Sequence, residues 1–287
     1  MRISSPLRRW FAGAALISAA ALVSPASAAA VTVVQSSNWA GYVVHTRTIA
    51  AGFSSVSASW TQPVASCKAG RSTHSAVWVG LGGYREGAKA LEQIGTEADC
   101  SAAGNASYSS WVELLPAAAS TLRLAVSPGD AVTASVTVSG RHATLHLRDL
   151  TTGRRFSTTR RLSAVDVSSA EWVVEAPSGC SSAGGDCRTL ALSDFGTVAF
   201  SHATATAAGV TRAASSSAWS ATELVLSQDA GAATAGAAVR GPGEVVQATP
   251  TALTGESFSV GYSEAAGEAP PEAPVLPGFS GGSGEQQ

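Results

Sequence analysis

The segment Ala170-Glu171-Trp172-Val173-Val174-Glu175 decides how the rest of the chain is read. In an extended strand, side chains alternate between faces, so Glu171, Val173 and Glu175 share one side while Trp172 and Val174 turn to the other, where a core can take them. Two carboxylates on one face of an apolar strand are costly to bury unless something pairs or uses them. Taken alone, the segment fits either an edge strand with a solvated glutamate face or the floor of a site.

Working outward, almost nothing in the chain has a helical period. Short β-rich runs recur between Gly, Pro, Ser and Asp punctuation: 56–60, 76–81, 91–97, 109–115, 122–126, 131–138, 143–147, 198–200, 224–226 and 258–262. That pattern predicts an all-β sandwich or barrel, with no fixed-period repeat. In 76–81, Val77, Val79 and Leu81 face one way and Trp78 the other. Gln93 shares a face with Leu91, Gly95 and Glu97, and Trp111 lies with Glu113. Glu92 breaks the pattern by falling on the apolar side. If these strands are neighbours, Trp78, Gln93, Glu97, Trp111, Glu113, Glu171 and Glu175 line one sheet face, a groove suited to an extended ligand.

The ends of the chain read differently. Arg2, Arg8 and Arg9 precede an apolar run, Phe11 to Val23, too short to span a bilayer, and Ala26-Ser27-Ala28 is an A-x-A cleavage signal. Residues 1–28 are therefore expected to be a signal peptide and the protein to be secreted, with one β-sandwich domain over 29–262. No later apolar run reaches the ~18–20 residues of a membrane helix, so no membrane partner is expected. From 263 to 287 the composition turns to Glu, Ala, Pro, Gly and Ser, which predicts a disordered tail. A G-x-S-x-G match at Gly278–Gly282 lacks the strand and helix that a nucleophile elbow needs. The net charge of −2 and only 13% charged residues argue against nucleic acid as a partner. With 20 acidic and 18 basic residues there are few native ion pairs for acid to break, which fits acid tolerance.

The four cysteines, Cys67, Cys100, Cys180 and Cys187, read as two disulfides in an exported chain, with three connectivities open. The simplest joins sequence neighbours, Cys67–Cys100 and Cys180–Cys187, worth roughly 3.8 and 2.5 kcal/mol in the loop-entropy model. The five histidines show no ligand spacing such as H-E-x-x-H, so no metal and no cofactor are expected.

Several segments, in order, carry a family resemblance. Asn38-Trp39-Ala40-Gly41, Trp78-Val79-Gly80, Glu92-Gln93-Ile94-Gly95, Tyr108 to Pro116, Ala170 to Glu175 and Asp194-Phe195-Gly196 resemble motifs of the glutamic peptidases, or eqolisins. The resemblance implies an antiparallel double-sheet β-sandwich of the concanavalin A, lectin-like kind. It also implies a catalytic dyad, Gln93 and Glu175, with Trp78, Glu113, Trp111, Glu97 and Asn38 binding polypeptide substrates. In that chemistry Glu175 takes a proton from water and returns it to the leaving amine. Gln93 orients the water and donates to the oxyanion. Two features depart from the fungal members. They carry an aspartate two residues after the glycine of Trp-Val-Gly, where this chain has Gly82. They also have a long propeptide, whereas here the Asn-Trp motif follows closely on the expected cleavage site, so no inhibitory prosegment is expected unless the C-terminal tail serves as one. Asp-Thr-Gly and Asp-Ser-Gly are both missing, unlike an ordinary aspartic protease. The expectation is a monomeric, pepstatin-insensitive acid endopeptidase; the alternative is a carbohydrate-binding sandwich or a glycosidase using a carboxylate pair, ~5–10 Å apart.

Overall fold

The structure is a computed structural model and describes residues 31–47, 52–180, 187–229 and 244–263. The expected signal peptide and the expected disordered tail from 264 onward lie outside the described residues. Eighteen strands and no helix make up the described chain. They are β1 (Thr32–Ser36), β2 (Trp39–Thr46), β3 (Phe53–Thr61), β4 (Thr73–Gly82), β5 (Leu91–Cys100) and β6 (Ala106–Leu114). Next come β7 (Ser120–Thr121), β8 (Ala131–Ser139), β9 (His142–Asp149), β10 (Arg155–Arg161), β11 (Ser169–Glu175) and β12 (Ser178–Cys180). The last six are β13 (Cys187–Thr189), β14 (Thr197–Ala207), β15 (Val210–Ala213), β16 (Trp219–Asp229), β17 (Glu244–Pro250) and β18 (Phe258–Tyr262).

The strands form an antiparallel β-sandwich. One sheet runs β18-β17-β16-β2-β11-β4-β5-β6-β7, with β1 added in parallel to β16; the other runs β14-β3-β8-β9-β10. Strand β14 belongs to both. Thr197–Phe200 pair with β18, and the chain then breaks register at His202, at φ 52°, before Thr204–Ala207 pair with β3. The sandwich is thus closed along β14 and open along β7 and β10, the two ends of the path.

Alternation explains the core. Ala170, Trp172 and Val174 of β11 turn inward with Val77, Val79 and Leu81 of β4, against Val56, Ala58 and Trp60 of β3 and Leu145 and Leu147 of β9. Trp172 is completely buried and donates its indole N–H to the Ser57 carbonyl at 2.8 Å, which ties the two sheets together without leaving a buried donor unsatisfied.

Three expectations need correction. The run 122–126 is not a strand: only Ser120–Thr121 pair with β6. Leu124 and Val126 are nonetheless buried, and Ser110 donates its hydroxyl to the Leu124 carbonyl, so the apolar alternation reflects core contact without a ladder. Strands β5 and β14 run well beyond the expected 91–97 and 198–200. The solvated-edge reading of 170–175 also fails, because β11 is a central strand between β2 and β4.

Candidate active site

The register of the central sheet fixes which side chains share its outer face. One row crosses Trp39, Glu175, Ala76, Glu97 and Ser109; the next crosses Val173, Trp78, Gly95 and Trp111; the third crosses Glu171, Gly80, Gln93 and Glu113. Glu175 and Gln93 therefore stand on one face, two rows and two strands apart, with Trp78 between them. Glycine at 80 and 95 makes that arrangement possible. A Cβ on Gly80 would lie 2.8 Å from Cζ3 of Trp78, and one on Gly95 only 2.2 Å from the Val77 carbonyl oxygen and 2.6 Å from the Trp78 Cβ. The Trp78 indole lies down in the space those two missing side chains leave.

Glu175 is held by two donors. The Trp78 indole N–H donates to its Oε2 at 2.7 Å, and the Asn38 amide donates to its Oε1 at 3.2 Å. Asn38 is itself oriented: the Ser36 hydroxyl donates to its Oδ1 at 3.4 Å, and its backbone carbonyl accepts from the Ala176 N–H at 2.8 Å. Trp39 packs edge-on against Trp78 with ring centroids 5.0 Å apart. Burial pushes the Glu175 carboxyl up to about 7, against the indole and amide donors that favour its charge; the nearby Glu113 carboxylate pushes it further up.

Gln93, on β5, donates its side-chain N–H to Oε2 of Glu113 at 2.5 Å. That bond assigns the amide orientation and leaves Gln93 Oε1, which has no protein partner, and the second N–H to act elsewhere. Burial raises the Glu113 carboxyl above its ordinary range, while the Gln93 donor holds it down. Glu97 accepts the Ser109 hydroxyl at 2.8 Å and is also raised, mainly by burial.

The predicted residues thus gather on one face, but not all in their expected parts. Trp78, expected to bind substrate, is completely buried, because the glycines let it lie down on the sheet and donate to Glu175. Trp111 is 5% exposed and packs with Leu91, Trp78 and Leu115, so it supports the groove floor more than it lines it. Glu171 is completely buried, and neither of its carboxylate oxygens meets a donor. Glu92, turned to the other face, is equally buried and unpartnered. Burial raises Glu92 to about 8 and Glu171 well above the ordinary carboxylate range, and the negative charge of Asp166 adds to both shifts.

Sequence reasoning missed Asp166. Gly82 has φ +81°, and a Cβ there would lie 2.3 Å from the Asp166 carbonyl oxygen and 2.7 Å from its Cβ. Asp166, from the segment before β11, thus fills the space beside Gly82. Asp166 accepts the Gly83 N–H at 3.2 Å and the Ser168 N–H at 2.9 Å. No spacing signal in the chain links 166 to 82. Among the described residues, no group of three His, Cys, Asp or Glu is arranged to hold a metal ion.

The scaffold carries the Cys67–Cys100 disulfide, with Cα atoms 5.3 Å apart. The short β12–β13 ladder sets Cys180 opposite Cys187, and Cys187 is disulfide-bonded.

Fold and site together define a β-sandwich hydrolase with an acidic, amide-bearing groove. The model of the Peptidase A4 family matches residues 37–246, and the chain belongs to that family of glutamic endopeptidases. Among solved structures it is similar to scytalido-glutamic peptidase with a transition-state analogue inhibitor, at 23% identity and a TM-score of 0.62, covering 79% of this chain and 98% of that one. A tripeptide complex of SCP-B, an eqolisin, matches at 22% identity and a TM-score of 0.56, over 79% and 98% of the two chains. Aspergilloglutamic peptidase from Aspergillus niger matches at 26% identity and a TM-score of 0.50, over 67% and 99%. No curated protein matches by sequence.

Proposed function

We propose that the protein is a secreted acid endopeptidase in which Glu175 and Gln93 act on one water molecule and one peptide carbonyl. The observation that carries the reading is the pairing of a donor-held carboxylate, Glu175, with an amide whose orientation is fixed by Glu113. Gln93 Oε1 accepts from the water while Glu175, ionised, removes its proton. The water oxygen bonds to the carbonyl carbon, and the carbonyl electron pair moves onto oxygen. The free N–H of Gln93 donates to that oxyanion. Glu175 then returns the proton to the leaving nitrogen as the C–N bond breaks. Asn38 and Trp78 keep the carboxylate aimed throughout, and Glu97 lines the next stretch of groove for an extended polypeptide.

A carboxyl at about 7 is ionised in only a small fraction at low pH, so the rate rises with pH up to that range. Folding weakens on the alkaline side, where Glu92 and Glu171 lose the protons they hold in the folded state, and this limits the profile there. The test is incubation of the mature protein with denatured protein across the acid range, with and without pepstatin, scoring fragments by mass. Cleavage that pepstatin leaves intact is expected. Activity confined to alkaline pH, or abolished by pepstatin, contradicts the reading.

A further inference from the structure

The open side of the sandwich holds a second feature, unrelated to the groove. There β7, the chain after it and β10 line a cavity of about 810 Å³. Its floor is apolar, with Leu114, Leu122, Leu124 and Phe156, and its lining carries Arg123, Arg155, Arg160 and Arg161 but no carboxylate. Between residues 117 and 163 the only acidic residues are Asp130 and Asp149, 8% and 0% exposed. Both are used internally, Asp130 by the Ser127 N–H and Asp149 by Thr151 and Thr152. The four cavity arginines therefore have no carboxylate of their own within ion-pair reach among the described residues.

Strand β10 adds a second requirement. Among the described residues it pairs only with β9, so its other edge offers unpaired backbone groups. Its side chains alternate, with Phe156 and Thr158 half-buried toward the cavity and Ser157 and Thr159 exposed. A ligand that answers all of this supplies backbone donors and acceptors, apolar groups on one side and negative charge on the other. A flat bilayer does not reach a recessed floor, and a bare polyanion leaves it wet.

We propose that this mouth binds an acidic, apolar peptide segment of a partner protein, added as a strand along the free edge of β10. Its apolar side chains enter the cavity and its carboxylates, on the other face, pair with Arg155 and Arg161. The cavity lies on the core side of β6, whereas Glu113 of the same strand faces the groove, so the partner leaves the groove open. Peptide carboxylates titrate near ~4 while arginine stays charged, so the complex forms above about pH 5 and falls apart below about pH 4.

The test uses the full chain and labelled synthetic peptides, their intactness checked by mass, with binding read by anisotropy at about pH 6.5. A peptide alternating Glu and Leu is expected to bind, and one alternating Glu and Ser to bind at least about tenfold more weakly, since a single buried leucine is worth more than that. Replacing Arg155 and Arg161 by Gln should weaken binding by about tenfold, from two exposed pairs worth up to about fivefold each. The Arg155→Glu, Arg161→Glu double variant should instead take a Lys–Leu peptide, which a merely misfolded protein would not do. Amide exchange along β10 should slow in the complex. No binding of the Glu–Leu peptide overturns the proposal. So does equal binding of the Glu–Ser peptide or of inorganic polyphosphate, which would mark a diffuse cationic patch.

Discussion

Trp78 donates its indole N–H to Glu175 at 2.7 Å from the adjacent strand, and it does so as a residue with no exposed surface. The donor cannot swing away to water, so Glu175 carries a permanent bias toward its charged form that partly offsets burial.

Replacing Trp78 by Phe keeps most of the ring and removes that bias. A hydrogen bond to a charged group is worth ~1.5–3 kcal/mol, which is about one to two pKa units. The acid limb of the kcat/KM profile should therefore move up by at least about one unit, with activity below the limb falling roughly tenfold. An unmoved limb in a folded Trp78→Phe protein would show that Glu175 does not set it.

The buried carboxyls predict how stability follows pH. Glu92, at about 8, and Glu171, raised well above the ordinary carboxylate range, hold protons in the folded state that the unfolded chain releases near ~4.3. Unfolding thus releases protons between those values, and stability falls as pH rises through the window. Asp166, close to both, works the other way: its burial would raise it, but the N–H groups of Ser168 and Gly83 and the charge of Arg85 hold it below its ordinary value. Its contribution is present above ~3.9 and is lost on further acidification. Calorimetry should find the highest Tm near about pH 4–5 and a fall toward pH 8. Glu92→Gln should flatten that fall by on the order of 10 °C, from a few kcal/mol at ~2–4 °C each. A Tm that rises from pH 5 to pH 8 contradicts the account.

Gly82 is fixed by its surroundings. Gly82→Ala combines a left-handed backbone with a Cβ 2.3 Å from the Asp166 carbonyl oxygen. The expected loss is about 2–4 kcal/mol, measured by denaturant unfolding at acid pH. A loss under about 0.5 kcal/mol would mean that the loop carrying Asp166 moves freely.

The β12–β13 register predicts the second disulfide. Non-reducing peptide mapping should recover the peptides of Cys180 and Cys187 joined, and separately those of Cys67 and Cys100. A crossed pair would contradict the register.

Much of this was legible because a strand's period is two. The face shared by Gln93, Glu113 and Glu175, and the misfit of Glu92, follow from alternation once the strands are neighbours. What alternation cannot reveal is depth. Trp78 reads as a groove wall but is buried, because Gly95 in its own row and Gly80 in the next open room for it. Strand β10, Arg-Phe-Ser-Thr-Thr-Arg-Arg, escaped notice because an edge strand facing solvent needs little apolar alternation. Asp166 was invisible for another reason: its meeting with Gly82 is a tertiary contact between a loop and the end of β4.

The most direct measurement is kcat/KM of Glu175→Gln, Gln93→Ala and the double variant on one protein substrate, each shown to be folded. Glu175→Gln keeps size and removes the proton carrier, so activity should fall ~10²–10⁴-fold or further, as the one group serves both proton transfers. Gln93→Ala should cost about 10²–10³-fold. Because both act on the same transition state, the double variant should be scarcely worse than Glu175→Gln alone. Full proteolysis by folded, pure Glu175→Gln would contradict the dyad and turn attention to Glu113 and Glu171.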